Sequence, residues 1–112
     1  MLFRSVMRAW LDAEAYTLST YITASQLVQG GKIGPESSTN KIFWSELDQR
    51  MHDTAMSILG LRGELLPDAS AAGDVGHWLE GFLFAQAGPI YAGTNEIQRN
   101  IIAERMLGMP RA

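Results

Sequence analysis

Residues 35–60 read PESSTNKIFWSELDQRMHDTAMSILG, and this stretch decides the fold class. Trp44, Leu47, Met51, Ala55 and Ile58 recur every three or four residues, the period of an α-helix with one apolar side. Pro35 suits a first turn, where its missing N–H is no loss, and Glu36 complements the positive end of the helix dipole. Gly60 supplies the stop. The spacing predicts a helix from Pro35 or Glu36 to Leu59.

Working outward, Phe3 to Gln29 reads as another long helix. Val6, Trp10, Ala13, Leu18, Tyr21 and Val28 form its apolar side, leaving Arg8, Asp12, Glu14 and Ser19 for wetter faces. Thr17, Thr20, Tyr21, Ile22 and Thr23 are weak helix formers, so packing must hold this helix. Gly30 and Gly31 end it, and Gly34-Pro35 opens the next. About residues 61–76 the chain reads as an irregular connection, broken by Gly63, Pro67, Asp68, Gly73, Asp74 and Gly76. A short helix over His77 to Gln86, weakened by Gly81, precedes the Gly88-Pro89 break. The last helix should run from Thr94 or Asn95 to Met106 or Leu107. Ile97, Ile101, Ile102 and Met106 form its apolar side, and Gly108 and Pro110 end it. No segment reads as a strand, so the expectation is one all-α domain over residues 1–112.

A chain of 112 residues has room for one modest core, and 46% hydrophobic residues suit a folded chain. Six Met and three Trp favour a packed interior or an interface. A net charge of −3 argues against a nucleic-acid partner. No apolar run reaches the roughly 20 residues of a membrane span, and the opening MLFRSVMRAW lacks a secretory pattern. Neither long helix has the lysine-rich face of a membrane-surface helix. With no cysteine, disulfides and thiolate metal sites are excluded, and a cytoplasmic location is expected.

The usual chemical motifs are missing. QGGKIGP has glycines without the Lys-Ser/Thr of a phosphate loop, and no Gly-x-Ser-x-Gly elbow occurs. His52 and His77 lie on separate elements, so no metal site is expected. The pairs Asp12/Glu14 and Glu46/Asp48 are two residues apart, do not share a helix face, and read as solvated charge. One passage remains. In Ile90–Arg111, IYAGTNEIQRNIIAERMLGMPR, Gly93 permits a left-handed backbone or a close approach to a ligand. Thr94 and Asn95 can cap the helix that follows, whose free N–H groups attract phosphates or polarised carbonyls. Glu96 is favourable in its first turn. A plain capped helix is the alternative.

That passage resembles the carboxy-terminal signature of the flavin-dependent acyl-CoA dehydrogenases, tightly over its 22 residues and loosely over most of the chain. Ser57-Ile58-Leu59-Gly60 is similar to the Ile-Leu-Gly end of the family's penultimate long helix, and Lys41 to a lysine near that helix's start. The resemblance implies antiparallel helices forming part of a C-terminal four-helix bundle, with at least one earlier helix not supplied. It implies FAD as cofactor, contacted near its adenine end by Gly93, Thr94 and Glu96. Ser57 and Gly60 are weaker candidates, toward the flavin pyrophosphate of a neighbouring subunit. There the chain departs from the family, with Ser57 in place of Gln and Leu61 in place of a second Gly. FLFAQAGP also replaces the usual Arg-Asp-Ala-Arg stretch.

The family removes hydrogens from the α and β carbons of an acyl-CoA thioester. A carboxylate takes the α proton, and the thioester oxygen is stabilised by backbone donors. Tyr91 and Ala92 match the substrate side, with the Ala92 N–H facing the thioester carbonyl. Ala92 also stands at the carboxylate's own position, so the chain has no catalytic base there; Glu80 and Glu96 are nearby but poorly placed. Three arrangements fit: a base on an earlier helix, an active partner subunit in a mixed assembly, or a truncated remnant. GTNEIQRNIIAER resembles the versions in sterol-degrading actinobacterial relatives with mixed assemblies. The expected partners are an acyl-CoA, missing domains or another dehydrogenase subunit, and a homo- or hetero-oligomer. No dehydrogenation by the chain alone is expected. The rival expectation is a non-catalytic helical association module.

Overall fold

The computed structural model describes residues 1–111. Four α-helices follow in order: α1 (Leu2–Val28), α2 (Glu36–Leu59), α3 (Gly76–Ala85) and α4 (Asn95–Arg105). Two 3-10 turns, Gly60–Glu64 and Gly73–Val75, occupy the irregular connection, and no strand occurs among the described residues. The helix ends fall within a residue or two of those the sequence predicts. Local punctuation sets them: Gly30 (φ 83) and Gly60 (φ 55) take positive φ where the two long helices stop.

α2 is the hub, and α1, α3 and α4 each pack on it. α1 runs antiparallel to α2, with Tyr16 stacked on Phe43 (centroids 6.2 Å apart) and Arg50 paired with Asp12 at 3.0 Å. α3 lies over the C-terminal half of α2, where Trp78 meets His52 edge-on at 5.9 Å. Gly81 permits that approach, since a Cβ there would stand 2.5 Å from His52 Nε2. α4 lies antiparallel to the N-terminal half of α2. α1 and α4 therefore flank α2 like two sides of a square, and the fourth corner is open. A concavity of about 450 Å³ marks it, bounded by Tyr16 and Ile22 of α1, Phe43 of α2 and Met106 beyond α4. This is part of a four-helix bundle.

The open corner explains the sparse core. Among the described residues, only Leu47, Ala72 and Ala85 are buried apolar side chains. The accessible surface is 8128 Å², about 2,000 Å² more than a compact chain of 12.3 kDa presents. The radius of gyration is 17.4 Å, against about 13 Å for a compact domain of this length.

The expected apolar faces need one correction. α1 buries no residue, and it meets α2 through Ala9, Asp12, Ala13, Tyr16 and Thr23. The stripe that periodicity assigned to the interior is mostly bare, with Trp10 57% and Val28 89% exposed. Asp12, assigned to water, is half-buried through its pairing with Arg50. Ile97 and Met106 of the last helix's apolar side are also exposed.

Candidate functional site

The turn between α3 and α4 gathers five of the residues singled out from the sequence: Tyr91, Ala92, Gly93, Thr94 and Glu96. Tyr91 anchors it, its ring tilted between Trp44 (6.0 Å) and Phe84 (6.5 Å). The chain then passes through two consecutive left-handed residues, Ala92 (φ 55) and Gly93 (φ 84). Gly93 is where such a conformation belongs, but at Ala92 the Cβ makes it cost about 1–2 kcal/mol. The surroundings hold it. Gln98 Nε2 donates to the Ala92 carbonyl at 3.0 Å, and the Asn95 N–H donates to the Pro89 carbonyl at 2.9 Å.

Thr94 caps α4 as expected, its hydroxyl oxygen accepting from the Ile97 N–H at 3.3 Å. Among the described residues, the backbone N–H groups of Ala92, Gly93 and Thr94 donate to no protein acceptor. Ala92 and Gly93 are exposed. Three successive free donors at the positive end of a helix can serve an oxyanion, a phosphate or a polarised carbonyl. Glu96 is held below the usual carboxylate range by its own backbone N–H, then by the Thr94 hydroxyl, with Arg99 and Lys41 adding charge. Its carboxylate is engaged at the helix start and stays ionised. Glu80, on exposed α3 surface, pairs loosely with His77 at 3.9 Å.

A polar network that the sequence reading missed fastens this turn to α2. Asn95 is 3% exposed and Ser45 fully buried. Lys41 Nζ donates to Asn95 Oδ1 at 2.8 Å, and Asn95 Nδ2 donates to Ser45 Oγ at 3.1 Å and Glu46 Oε1 at 3.4 Å. The ammonium on one side and the carboxylate on the other orient the amide, since a flipped group would set like polarity against each. Arg99 Nη2 closes the network on Glu46 Oε1 at 2.6 Å. Glu46, read as solvated charge, is thus a structural acceptor. Lys41 was visible through the family resemblance and Asn95 as a possible cap; their meeting 54 positions apart had no local signal. Gly88 packs its backbone on this point, where a Cβ would stand 3.2 Å from the Ala85 carbonyl oxygen and 3.4 Å from Ser45 Cβ.

Ser57 and Gly60 are not brought to the turn. They lie roughly 20 Å farther along α2 from the level of Ser45. The Ser57 hydroxyl donates to the Asp53 carbonyl at 2.8 Å, and Gly60 is exposed. Within one chain they form no common site with Gly93 and Thr94. No cluster of three or more potential metal ligands occurs among the described residues, and none of their helices is long and apolar enough to cross a membrane.

Comparison with known proteins agrees with this fold. Residues 2–107 match the family model described as "Acyl-CoA dehydrogenase, C-terminal domain". The acyl-CoA dehydrogenase IpdE1 of Mycobacterium tuberculosis is 36% identical over 104 residues, covering 93% of this chain and 26% of the relative. IpdE1 of Mycolicibacterium smegmatis is 40% identical over 76 residues, covering 68% and 18%. The chain therefore spans about a quarter or less of the length of these curated relatives. Among solved structures, the Tcur3481-Tcur3483 steroid ACAD superposes with a TM-score of 0.89 at 23% identity, over 99% of this chain and 29% of that one. A point variant of the same protein gives 0.87. The chain belongs to the acyl-CoA dehydrogenase family, as its C-terminal helical domain.

Proposed function

We propose that this chain supplies a flavin- and substrate-facing turn, together with oligomer interface, to an acyl-CoA dehydrogenase whose proton-abstracting carboxylate lies elsewhere. The observation that carries this reading is the run of free amides at Ala92, Gly93 and Thr94, the first two on exposed residues. FAD fits such a turn, because its phosphate, ribose and ring carbonyl groups are acceptors that backbone donors satisfy. Bound FAD would supply the hydride acceptor. Gly93, Thr94 and Glu96 would hold it, the two amides as donors and the ionised Glu96 as an acceptor for hydroxyl or amine protons.

The chain's own part in the chemistry is positioning. The Ala92 N–H donates to a thioester oxygen as negative charge grows there, a preorganised contribution that needs no side chain. Its methyl accepts no proton. The α proton must therefore pass to a carboxylate on a segment or subunit outside these residues, and the chain alone is expected not to dehydrogenate. The fold neighbour named a steroid ACAD makes a steroid acyl-CoA the first substrate to try. The assembly would work in the cytoplasm.

The test is titration of FAD into the purified chain, read by flavin fluorescence. Saturable binding lost in Thr94→Pro supports the reading. Thr94 has φ −59, which a proline ring accepts, so the variant removes one N–H and the capping hydroxyl without forbidding this backbone angle. No binding in the wild-type chain or its full assembly refutes the flavin role, and turnover by the chain alone refutes the placement of the base. The bare apolar surface favours a second reading, a non-catalytic association module, for which oligomers indifferent to flavin are expected.

A further inference from the structure

A planar trans peptide ties the direction of each N–H to the carbonyl of the residue before it, since the two bonds lie on opposite edges of one rigid plane. No described peptide bond is cis, so this holds throughout the turn. The free N–H groups of Ala92, Gly93 and Thr94 are therefore aimed by the carbonyls of Tyr91, Ala92 and Gly93. Among the described residues, only one of those carbonyls accepts a hydrogen bond within the protein: that of Ala92, from Gln98 Nε2 at 3.0 Å. Of the three donors, the Gly93 N–H alone has its direction held by a side chain.

Gln98 is fitted for this by its place on α4 and by a gap. Its backbone N–H donates to the Thr94 carbonyl at 2.9 Å, so it stands in the first turn of the helix. Gly93 leaves the gap, because a Cβ there would stand 2.8 Å from Gln98 Nε2 and 3.9 Å from Ile97 Cγ2. Only the nitrogen end of the side-chain amide can donate to a carbonyl, which fixes the way it faces. Without this bond the peptide between Ala92 and Gly93 is free to turn over. That motion changes ψ of Ala92 and φ of Gly93, and glycine accepts φ of either sign. Turned over, the peptide presents the Ala92 carbonyl where its N–H had been, an acceptor in place of a donor.

We propose that Gln98 is a positioning residue for FAD, keeping the Gly93 N–H, rather than the Ala92 carbonyl, on the edge of the peptide away from Gln98. This inference rests on the flavin reading of the turn and adds a residue outside the flavin contacts named above. The phosphate and ring carbonyl oxygens of FAD are acceptors, so a turned peptide would set acceptor against acceptor and leave both unsatisfied. In this role Gln98 acts through one peptide plane and need not touch the cofactor.

Proton–nitrogen correlation spectra of the full chain, titrated with FAD, test it. Gln98→Met keeps the length and helix preference of the side chain and removes the donor. In the wild-type chain the Gly93 and Thr94 amide signals should both shift as FAD is added. In Gln98→Met the affinity should fall about tenfold, the size of one lost hydrogen bond, and Gly93 should lose its response while Thr94 keeps its own. Before any FAD is added, the substitution should already move the Gly93 amide and Ala92 carbonyl-carbon signals, with the helical circular dichroism retained. A merely structural Gln98 would instead weaken the Gly93 and Thr94 responses alike and lower the melting temperature in step, and that result overturns the proposal. Wild-type binding matched by equal binding in Gln98→Met refutes this inference alone. No response to FAD from the wild-type chain or its full assembly refutes the flavin reading, and this inference with it.

Discussion

Replacing Asn95 by alanine removes the side chain that joins Lys41, Ser45 and Glu46 to the start of α4, leaving Arg99 on Glu46. Its shortest bond is to an ammonium at 2.8 Å, and such charge-assisted bonds contribute about 1.5–3 kcal/mol each. Its bonds to Ser45 and Glu46 are longer and add about 1 kcal/mol together. Part of this is recovered, because half-buried Lys41 can regain water and Ser45 Oγ keeps its bond to the Ile42 carbonyl at 3.1 Å. The small void left at a site 3% exposed costs something in turn. The net expectation is a loss of about 3 kcal/mol, a fall in melting temperature of more than about 10 °C. Urea denaturation of wild type, Asn95→Ala, Ser45→Ala and the double variant measures it. The cycle should give a coupling of about 1 kcal/mol between Asn95 and Ser45. Asn95→Asp sharpens the test, because it keeps the Lys41 contact but sets a carboxylate against Glu46, and its deficit should shrink as the pH falls. A cost below about 1 kcal/mol for Asn95→Ala, or no coupling, would show that the network does not hold the turn.

Gly93→Ala should cost about 1–2 kcal/mol from its positive φ alone, and more because the new Cβ would stand 2.8 Å from Gln98 Nε2 and loosen that residue's hold on the Ala92 carbonyl; thermal unfolding reads it. Ala92→Val should destabilise by about 2 kcal/mol or more, since a β-branched residue tolerates the left-handed region worse than alanine, while Ala92→Gly should be near neutral. Glu96 has a lowered folded pKa, so its stabilising effect is present above its unfolded pKa, about 4.3, and is lost as the pH falls through the lower folded value. Glu96→Gln should therefore flatten the acid limb of the stability curve below about pH 4.3; an unchanged limb would mean that the carboxylate is not engaged. In Leu47→Ala the loss of the one large buried apolar side chain among the described residues should cost about 2–5 kcal/mol, measured by the same urea titration.

Helix limits were legible because they are local. Gly30, Gly60, Pro35 and Gly88-Pro89 restrict their own backbone, and the structure starts and stops α1 to α4 accordingly. Helix faces were less legible, because periodicity reports that a stripe must be covered and not what covers it. On α1 the stripe containing Trp10 and Val28 is apolar, yet the side against α2 carries Asp12 and Thr23. The turn itself was readable from Gly93, which takes a positive φ, and from Thr94, which caps α4. The second left-handed residue was hidden, because alanine gives no signal for positive φ. The Asn95 network was hidden for another reason: its members are common polar residues about 50 positions apart, and only folding brings them together.

The same network bears on how this turn keeps its shape with alanine at position 92. A carboxylate there would stand on an exposed bend and add charge but no packing. The bend's shape comes from restraints outside that side chain: the Tyr91 ring between Trp44 and Phe84, Gln98 on the Ala92 carbonyl, the Asn95 N–H on Pro89, and the Asn95 amide clamped by Lys41 and Glu46. None of these requires glutamate at 92, and together they hold alanine in a conformation it resists. On the proposed function, proton abstraction and oxyanion stabilisation would therefore be separable in this fold. The first would depend on one side chain, the second on a backbone path that the rest of the domain enforces. A subunit would lose the first and still present the donors of the second, provided that a partner or an earlier segment brought the base to the same substrate carbon.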